Sequence, residues 1–448
     1  MSISKISIIA LLSAALLIGS ACAFYRDAVI VYDLPAVPAA SPAPRDEGNF
    51  LVALAVSGGG SRAALWHAAV MKELYRQVKL PDGRSITDEI DYISSVSGGS
   101  LSSAYWCLNK PEADTTHTDS YNTFFDAYLA DMRVNIESKM AGGPFTWYRY
   151  LISSEDKAVV LATTFDKLYF NHATFTDIAD RERRGVSPIL IANGTDMDTG
   201  AKFLFTTLTR SDFDVRPELL TRRLTETSLA ESDVSFGGDV LDIVTTDDIG
   251  VSITDMKISR AAAASASVPL ILGPVVMRDN KRSTPEKDVY VHINDGGVND
   301  NQGMVSLMEL LYGRVEREGK KFKGAIIIIV DANQYIDPRY SEDMVRAFST
   351  VEMVERSFYI CFYQGRAFAY LTIMNILKSD PRFKDVTFVY LSPYLADDPA
   401  ISDIFTRTPT RFKITPGQAD NIERAAEIVV EKVKERLLEK LQKRQVGR

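Results

Sequence analysis

Cysteine, histidine, long apolar runs and excess basic charge are all scarce in this chain of 448 residues. Its only cysteines are Cys22, Cys107 and Cys361, which excludes a disulfide framework and offers no spacing for a metal cluster. Cys107 and Cys361 lie in apolar surroundings and are expected to be buried free thiols. Histidine occurs only as His67, His117, His172 and His292. The apolar stretch Ile6 to Ile18 is too short to span a bilayer, which needs ~20 residues, and Gln364 and Arg366 interrupt the longer one from Phe358 to Leu377. Basic residues number 51 against 59 acidic ones, a net charge of −8. That balance argues against binding nucleic acid, or anionic lipid, by charge alone. A lipid partner would be engaged through apolar surface instead.

What is present is an ordinary globular composition, 46% hydrophobic and 25% charged, sufficient for a large core. The first residues predict an export signal: Lys5, a short apolar stretch from Ile6 to Ile18, then small residues up to Ala23. Residues 1–22 are read as that signal. Two processing routes compete. Cleavage before Cys22 leaves a cysteine for lipid attachment, although Gly19 stands where the lipoprotein pattern usually has Leu. Cleavage after Ala23 releases a soluble protein. The lipoprotein route is preferred, and places the chain in the cell envelope, anchored to a membrane. Residues 23–49, with Pro35, Pro38, Pro42 and Pro44 among alanines, form an extended tether. Residues 50–448 form one folded domain.

Within that domain, Leu51 to Val56 reads as a buried strand. A glycine turn and a helix carrying Ala64, Ala68, Met71 and Tyr75 on one face follow it. Ile90 to Val96 begins a second such unit, with Leu101, Ala104, Tyr105 and Leu108 on the following helix. Further buried strands are expected at Ile189 to Ala192, Val289 to Ile293, Ala325 to Val330 and Val386 to Leu391. Strands alternating with helices predict an α/β fold with a mostly parallel sheet covered on both faces. Asp114 to Ser187 reads as a helical insertion able to cap a site, and Gln418 to Gln445 as a charged C-terminal helix. Phe358 to Leu377 is dense in aromatics. A buried core helix is the leading reading, an acyl-chain wall or membrane-docking helix the next.

Three turns carry chemistry. Ser97, between strand and helix and followed by Gly98 and Gly99, has the setting of a nucleophile elbow. Ser95 replaces the usual first glycine, and a helix N-cap serine is the competing reading. Gly58, Gly59 and Gly60 leave backbone N–H groups unobstructed, fit to hold a phosphate or an oxyanion. The loop matches neither the dinucleotide fingerprint nor a P-loop. Arg62 braces that loop or meets a lipid phosphate, with an ordinary surface arginine as the competing reading. Asp295, with Gly296 and Gly297, ends a strand as a candidate base; Asp331, Asp196 and Asp198 are rivals on position alone.

Taken in order, these turns resemble the patatin-like phospholipases. The segments Ile191 to Gly200 (IANGTDMDTG) and Ser259 to Pro269 (SRAAAASASVP) also look like that family, so the likeness spans about Leu51 to Gly303. It implies a three-layer α/β/α fold and a serine lipid acyl hydrolase of the phospholipase A or lysophospholipase kind. It further implies a Ser97–Asp295 dyad without histidine, which favours Asp295 over Asp331. Gly59 and Gly60, helped by the turn at Gly98, would hold the oxyanion. No cofactor or metal is called for, and the partner would be membrane lipid or a lipid ester. His292, three residues before Asp295, is expected on the opposite strand face. Two other classes stay open: an envelope lipoprotein that keeps the fold only for binding, and an anion-binding protein that uses the glycine loop.

Overall fold

The computed structural model describes residues 50–112, 118–141, 157–213, 242–269, 272–334 and 350–446. The signal, the tether, Cys22 and His117 lie outside them, as do parts of the 114–187 insertion.

Among the described residues nine strands form one sheet, seven of them in the path β5-β4-β3-β2-β1-β8-β9, with β7 joined to β3 and β6 to β7 off that path. The strands are β1 (Phe50–Val56), β2 (Tyr92–Val96), β3 (Ile189–Asp196), β4 (Lys202–Thr206), β5 (Ile243–Thr245), β6 (Val275–Arg278), β7 (Tyr290–Asp295), β8 (Gly324–Val330) and β9 (Val386–Leu391). From β3 through β2, β1 and β8 to β9 every pairing is parallel. Strands β4 and β7 pair antiparallel with β3, and β6 antiparallel with β7. The sheet is therefore mostly parallel, as expected, with an antiparallel margin formed partly by the unforeseen strands β4 and β6.

β1 explains the layering. All seven of its residues are buried, as a central parallel strand requires. Val52, Leu54 and Val56 face one apolar core, while Leu51, Ala53 and Ala55 face the other. The first core is covered by α1 (Gly60–Gln77) and α2 (Gly98–Asn109), with α3 (Thr118–Met132) beside them. The second is covered chiefly by a helix at Met304–Glu318. Tyr121, Phe125, Tyr128, Phe165 and Phe175 of the helical insertion are buried in the first core with α1 and α2.

Five more helices matter below, in chain order: α4 (Ile258–Ser265), α5 (Gly297–Asp300), α6 (Met304–Glu318), α7 (Thr350–Ser379) and α8 (Pro416–Val446). The last packs along α1, burying Ile422, Ala425, Ala426, Val429 and Val430.

Two expectations are corrected. Helix α7 is not a buried core helix: it buries Ile373 but exposes Ile360, Phe368, Tyr370 and Leu371. Its sequence is apolar all round, so periodicity could not show which face met the core. Cys107 is buried, whereas Cys361, on α7, is an exposed free thiol. Among the described residues no helix is long and apolar enough to cross a membrane.

Candidate active site

β3 brings the two distant turns together by serving two strands in succession. Val96 of β2 pairs with Asn193, and Asp295 of β7 pairs with Gly194, the next residue. The residue after Val96 and the last residue of β7 therefore converge at one sheet end.

Ser97 makes the turn from β2 into α2 with φ 54° and ψ −124°. That conformation is strained for any side chain and is held by its surroundings. The Ser97 N–H donates to Ser265 Oγ at 3.0 Å. Ser265 in turn donates to the Asn193 carbonyl at 2.6 Å, and its hydroxyl lies 2.8 Å from Ser100 Oγ. The Ser97 side chain caps no helix N–H, so the capping alternative fails. Its hydroxyl instead lies near the Asp295 carboxylate, whose charged form it favours. Ser95 is tolerated at the usual glycine position because its hydroxyl finds partners, the Ile191 carbonyl at 3.3 Å and Ser100 Oγ at 3.1 Å.

Gly98 is required by close approach: a Cβ there would sit 2.0 Å from the Gly60 carbonyl oxygen. The serine turn and the glycine loop thus touch backbone to backbone.

Asp295 is buried. Gly297 N–H donates to its Oδ1 at 2.7 Å, and its own N–H donates to the Ser267 carbonyl at 3.1 Å. Thr195 Oγ1 donates to its carbonyl at 2.9 Å. Burial pushes its carboxyl up to about 7, against the opposing pull of the Gly297 N–H and the Ser97 hydroxyl. A carboxylate so placed is a far better base at neutral pH than a free aspartate.

The three loop glycines divide in their roles. Gly58 N–H donates to the Asn301 carbonyl at 3.0 Å, so it is engaged in structure and cannot also serve an oxyanion. Among the described residues the amides of Gly59 and Gly60 have no acceptor, and neither does that of Gly98. Gly59 has φ 141°, a backbone conformation open to glycine.

Arg62 braces this loop. It is 2% exposed, and Nε donates to the Ala332 carbonyl at 2.8 Å. Nη1 donates to the Thr408 carbonyl, and Nη2 to Thr410 Oγ1 at 3.3 Å. With its donors turned into the protein, Arg62 is not placed to meet a lipid phosphate.

The rival acids are otherwise occupied. Asp331 is buried against Arg366 at 3.0 Å, Tyr390 and Asn333. Asp196 accepts from Asp198 N–H and Thr199 Oγ1 in the β3–β4 turn. Asp198 pairs with the partly exposed His292 at 3.0 Å. His67 is fully buried against Ser102 at 3.1 Å, and burial pushes its pKa down to about 3. His172 pairs with Asp166. Among the described residues no group of three or more His, Cys, Asp or Glu side chains could hold a metal ion.

Ser265 and Asn193 are site residues that sequence reading left without a role. Asn193 donates through Nδ2 to Ser94 Oγ and the Ser95 carbonyl and accepts from Ser306, tying β2 to β3 beneath Ser97. Both stand in the two segments that contributed to the family likeness, the one signal that could have drawn attention to them.

The family of patatin-like phospholipases matches residues 54–307, more than half of the sequence and all three turns. No curated protein matches. Among solved structures, human GIVD cytosolic phospholipase A2 aligns at 9% identity and a TM-score of 0.48, over 89% of this chain and 60% of that one. The same human enzyme with methyl γ-linolenyl fluorophosphonate and terbium chloride aligns at 10% identity and a TM-score of 0.44, over 90% and 60%. The chain thus spans about 60% of the length of those solved proteins.

Proposed function

Since the chain belongs to the patatin-like phospholipase family, we propose that it hydrolyses the carboxylic esters of lipids, with Ser97 as nucleophile and Asp295 as base. The observation that carries this reading is the convergence of Ser97, on the strained turn after β2, with the buried Asp295 carboxylate at one sheet end, a carboxylate whose pKa is raised to about 7 and whose charged form the Ser97 hydroxyl favours.

The chemistry follows from that convergence. Asp295 takes the hydroxyl proton as Ser97 Oγ attacks the ester carbonyl. Negative charge collects on the carbonyl oxygen, where the unengaged amides of Gly59, Gly60 and Gly98 can receive it; each such donor is worth ~10²-fold or more in rate. Asp295 returns the proton to the departing alcohol, leaving an acyl group on Ser97. It then draws a proton from water, which releases the fatty acid and restores the serine. Export, and tethering through a lipid on Cys22, belong to the same proposal.

Fatty acid release from phospholipid vesicles tests it. Wild type is expected to release fatty acid, while Ser97→Ala and Asp295→Asn do not. Release surviving in Ser97→Ala would discard the assignment. An inert wild type would leave the second reading, a binding lipoprotein on the same fold.

A further inference from the structure

Among the described residues, most of the exposed large apolar side chains stand on one helix, α7; the others are Met197, Val298 and Leu395. On α7, Phe368 is 69% and Leu371 64% exposed, far from what an isolated surface residue would explain. Ile360, Gln364, Phe368 and Leu371 recur at helical spacing and form one stripe. From Ser357 to Asn375 the only charged residue is Arg366. Its guanidinium is turned inward onto buried Asp331, so the outward stripe carries no charge.

The helix that bears this stripe adjoins the candidate site. Helix α5, which starts two residues after Asp295, packs against α7 and bears the exposed Val298. Asn299 of α5 donates to the Gly200 carbonyl at 2.8 Å, which ties α5 to the β3–β4 turn and its exposed Met197. Asp331, the anchor of Arg366, is joined through Asn333 to Asn301, the residue that holds the Gly58 N–H. Leu395 sits on a different element, the 393–396 turn, which packs against α8.

We propose that α7, with Val298 and Met197, seats the protein on the surface of a neutral lipid layer, with the mouth of the Ser97 site against that layer. The occupant is lipid because the α7 stripe is uncharged and apolar, its helix packs against the one that follows Asp295, and the chain's net charge of −8 gains nothing from anionic headgroups. Insertion of aromatic and aliphatic side chains supplies the attachment. Arg366, neutralised by Asp331, keeps the helix fixed beside the glycine loop while its outer face enters the layer. The inference rests on the hydrolase reading only for the identity of the site it borders.

The test is sedimentation of the full chain with phosphatidylcholine vesicles. Ser97→Ala prevents lipid turnover and Cys22→Ala removes any attached lipid. Paired Phe368→Asp and Leu371→Asp substitutions are expected to lower vesicle binding at least about tenfold, while Leu395→Asp leaves it unchanged and added salt has little effect. Paired Phe368→Ser and Leu371→Ser substitutions repeat the loss in a milder form, with the unfolding midpoint confirming that the fold survives. Binding that is unchanged in both pairs, or equally lost in Leu395→Asp, overturns the proposal. So does an oligomer that the substitutions split without altering vesicle binding, which would make the stripe a contact with a second copy. Because the assay uses an inactive chain, a failed hydrolysis test leaves this result intact.

Discussion

Ser265 holds Ser97 by its backbone: the Ser97 N–H donates to Ser265 Oγ at 3.0 Å, and that hydroxyl spends its own proton on the Asn193 carbonyl. A short alanine-rich helix thereby fixes a residue whose φ of 54° would otherwise relax. Ser265→Ala leaves a buried N–H and a buried carbonyl short of a partner. The expected result is a loss of about 1–3 kcal/mol in denaturant unfolding and at least a tenfold fall in hydrolysis rate, roughly what imperfect placement of a reacting group costs. Unaltered turnover would show that Ser97 keeps its conformation without Ser265.

Gly98→Ala tests the backbone contact between the two turns. With the Gly60 carbonyl 2.0 Å from the added Cβ, the turns must separate. Overpacking of this kind costs about 1–3 kcal/mol or more, and displacement of the Gly60 amide from Ser97 should abolish hydrolysis. Thermal unfolding and a soluble ester assay measure the two effects separately.

Asp295 makes a prediction about pH with two signs. Activity needs the ionised carboxylate, so the rate should rise with pH through a midpoint of about 7. Stability should move the other way. In the unfolded chain the carboxyl ionises near 3.9, so between about 4 and 7 the folded state keeps a proton that the unfolded state has lost. Stability contributed by this group therefore falls as pH rises across that window and stays low above it. Asp295→Asn should remove the slope and make the protein more stable at about pH 8, by about 1–4 kcal/mol. Denaturant midpoints measured across the window check it.

Arg62→Lys separates bracing from simple charge. The guanidinium serves the Ala332 and Thr408 carbonyls and Thr410 at once, a geometry an ammonium cannot reproduce. A loss of about 2–4 kcal/mol is expected, with slower hydrolysis as the glycine loop loosens. A lysine variant of wild-type stability would contradict the bracing role.

The parts of this structure legible in sequence are those that local physics dictates. Leu51 to Val56 and Ala325 to Val330 are continuous apolar runs, and only central parallel strands bury both faces that way. Glycines after β1 and β2 mark turns into helices. Ser97 and Asp295 were visible because each follows a strand beside glycines, and their family likeness joined them. The remainder depends on tertiary contacts. β4 and β6 are short strands whose identity comes from antiparallel partners. That Gly58 spends its N–H on Asn301, or that Ser265 holds Ser97, is set by residues far away in sequence. For Arg62 the residue type allowed both a buried brace and a phosphate ligand, and burial decided. Helix α7 was legible as a helix but not in its orientation, since its buried and exposed faces are equally apolar.

The most direct test of the central claim is reaction of the protein with a fluorophosphonate, followed by mass analysis of the modified peptide. The account predicts one phosphonylated residue, Ser97, no labelling in Ser97→Ala, and labelling in Asp295→Asn slowed by ~10² or more. Absence of labelling in the wild type, in detergent and on vesicles alike, or a label on another residue, would contradict it.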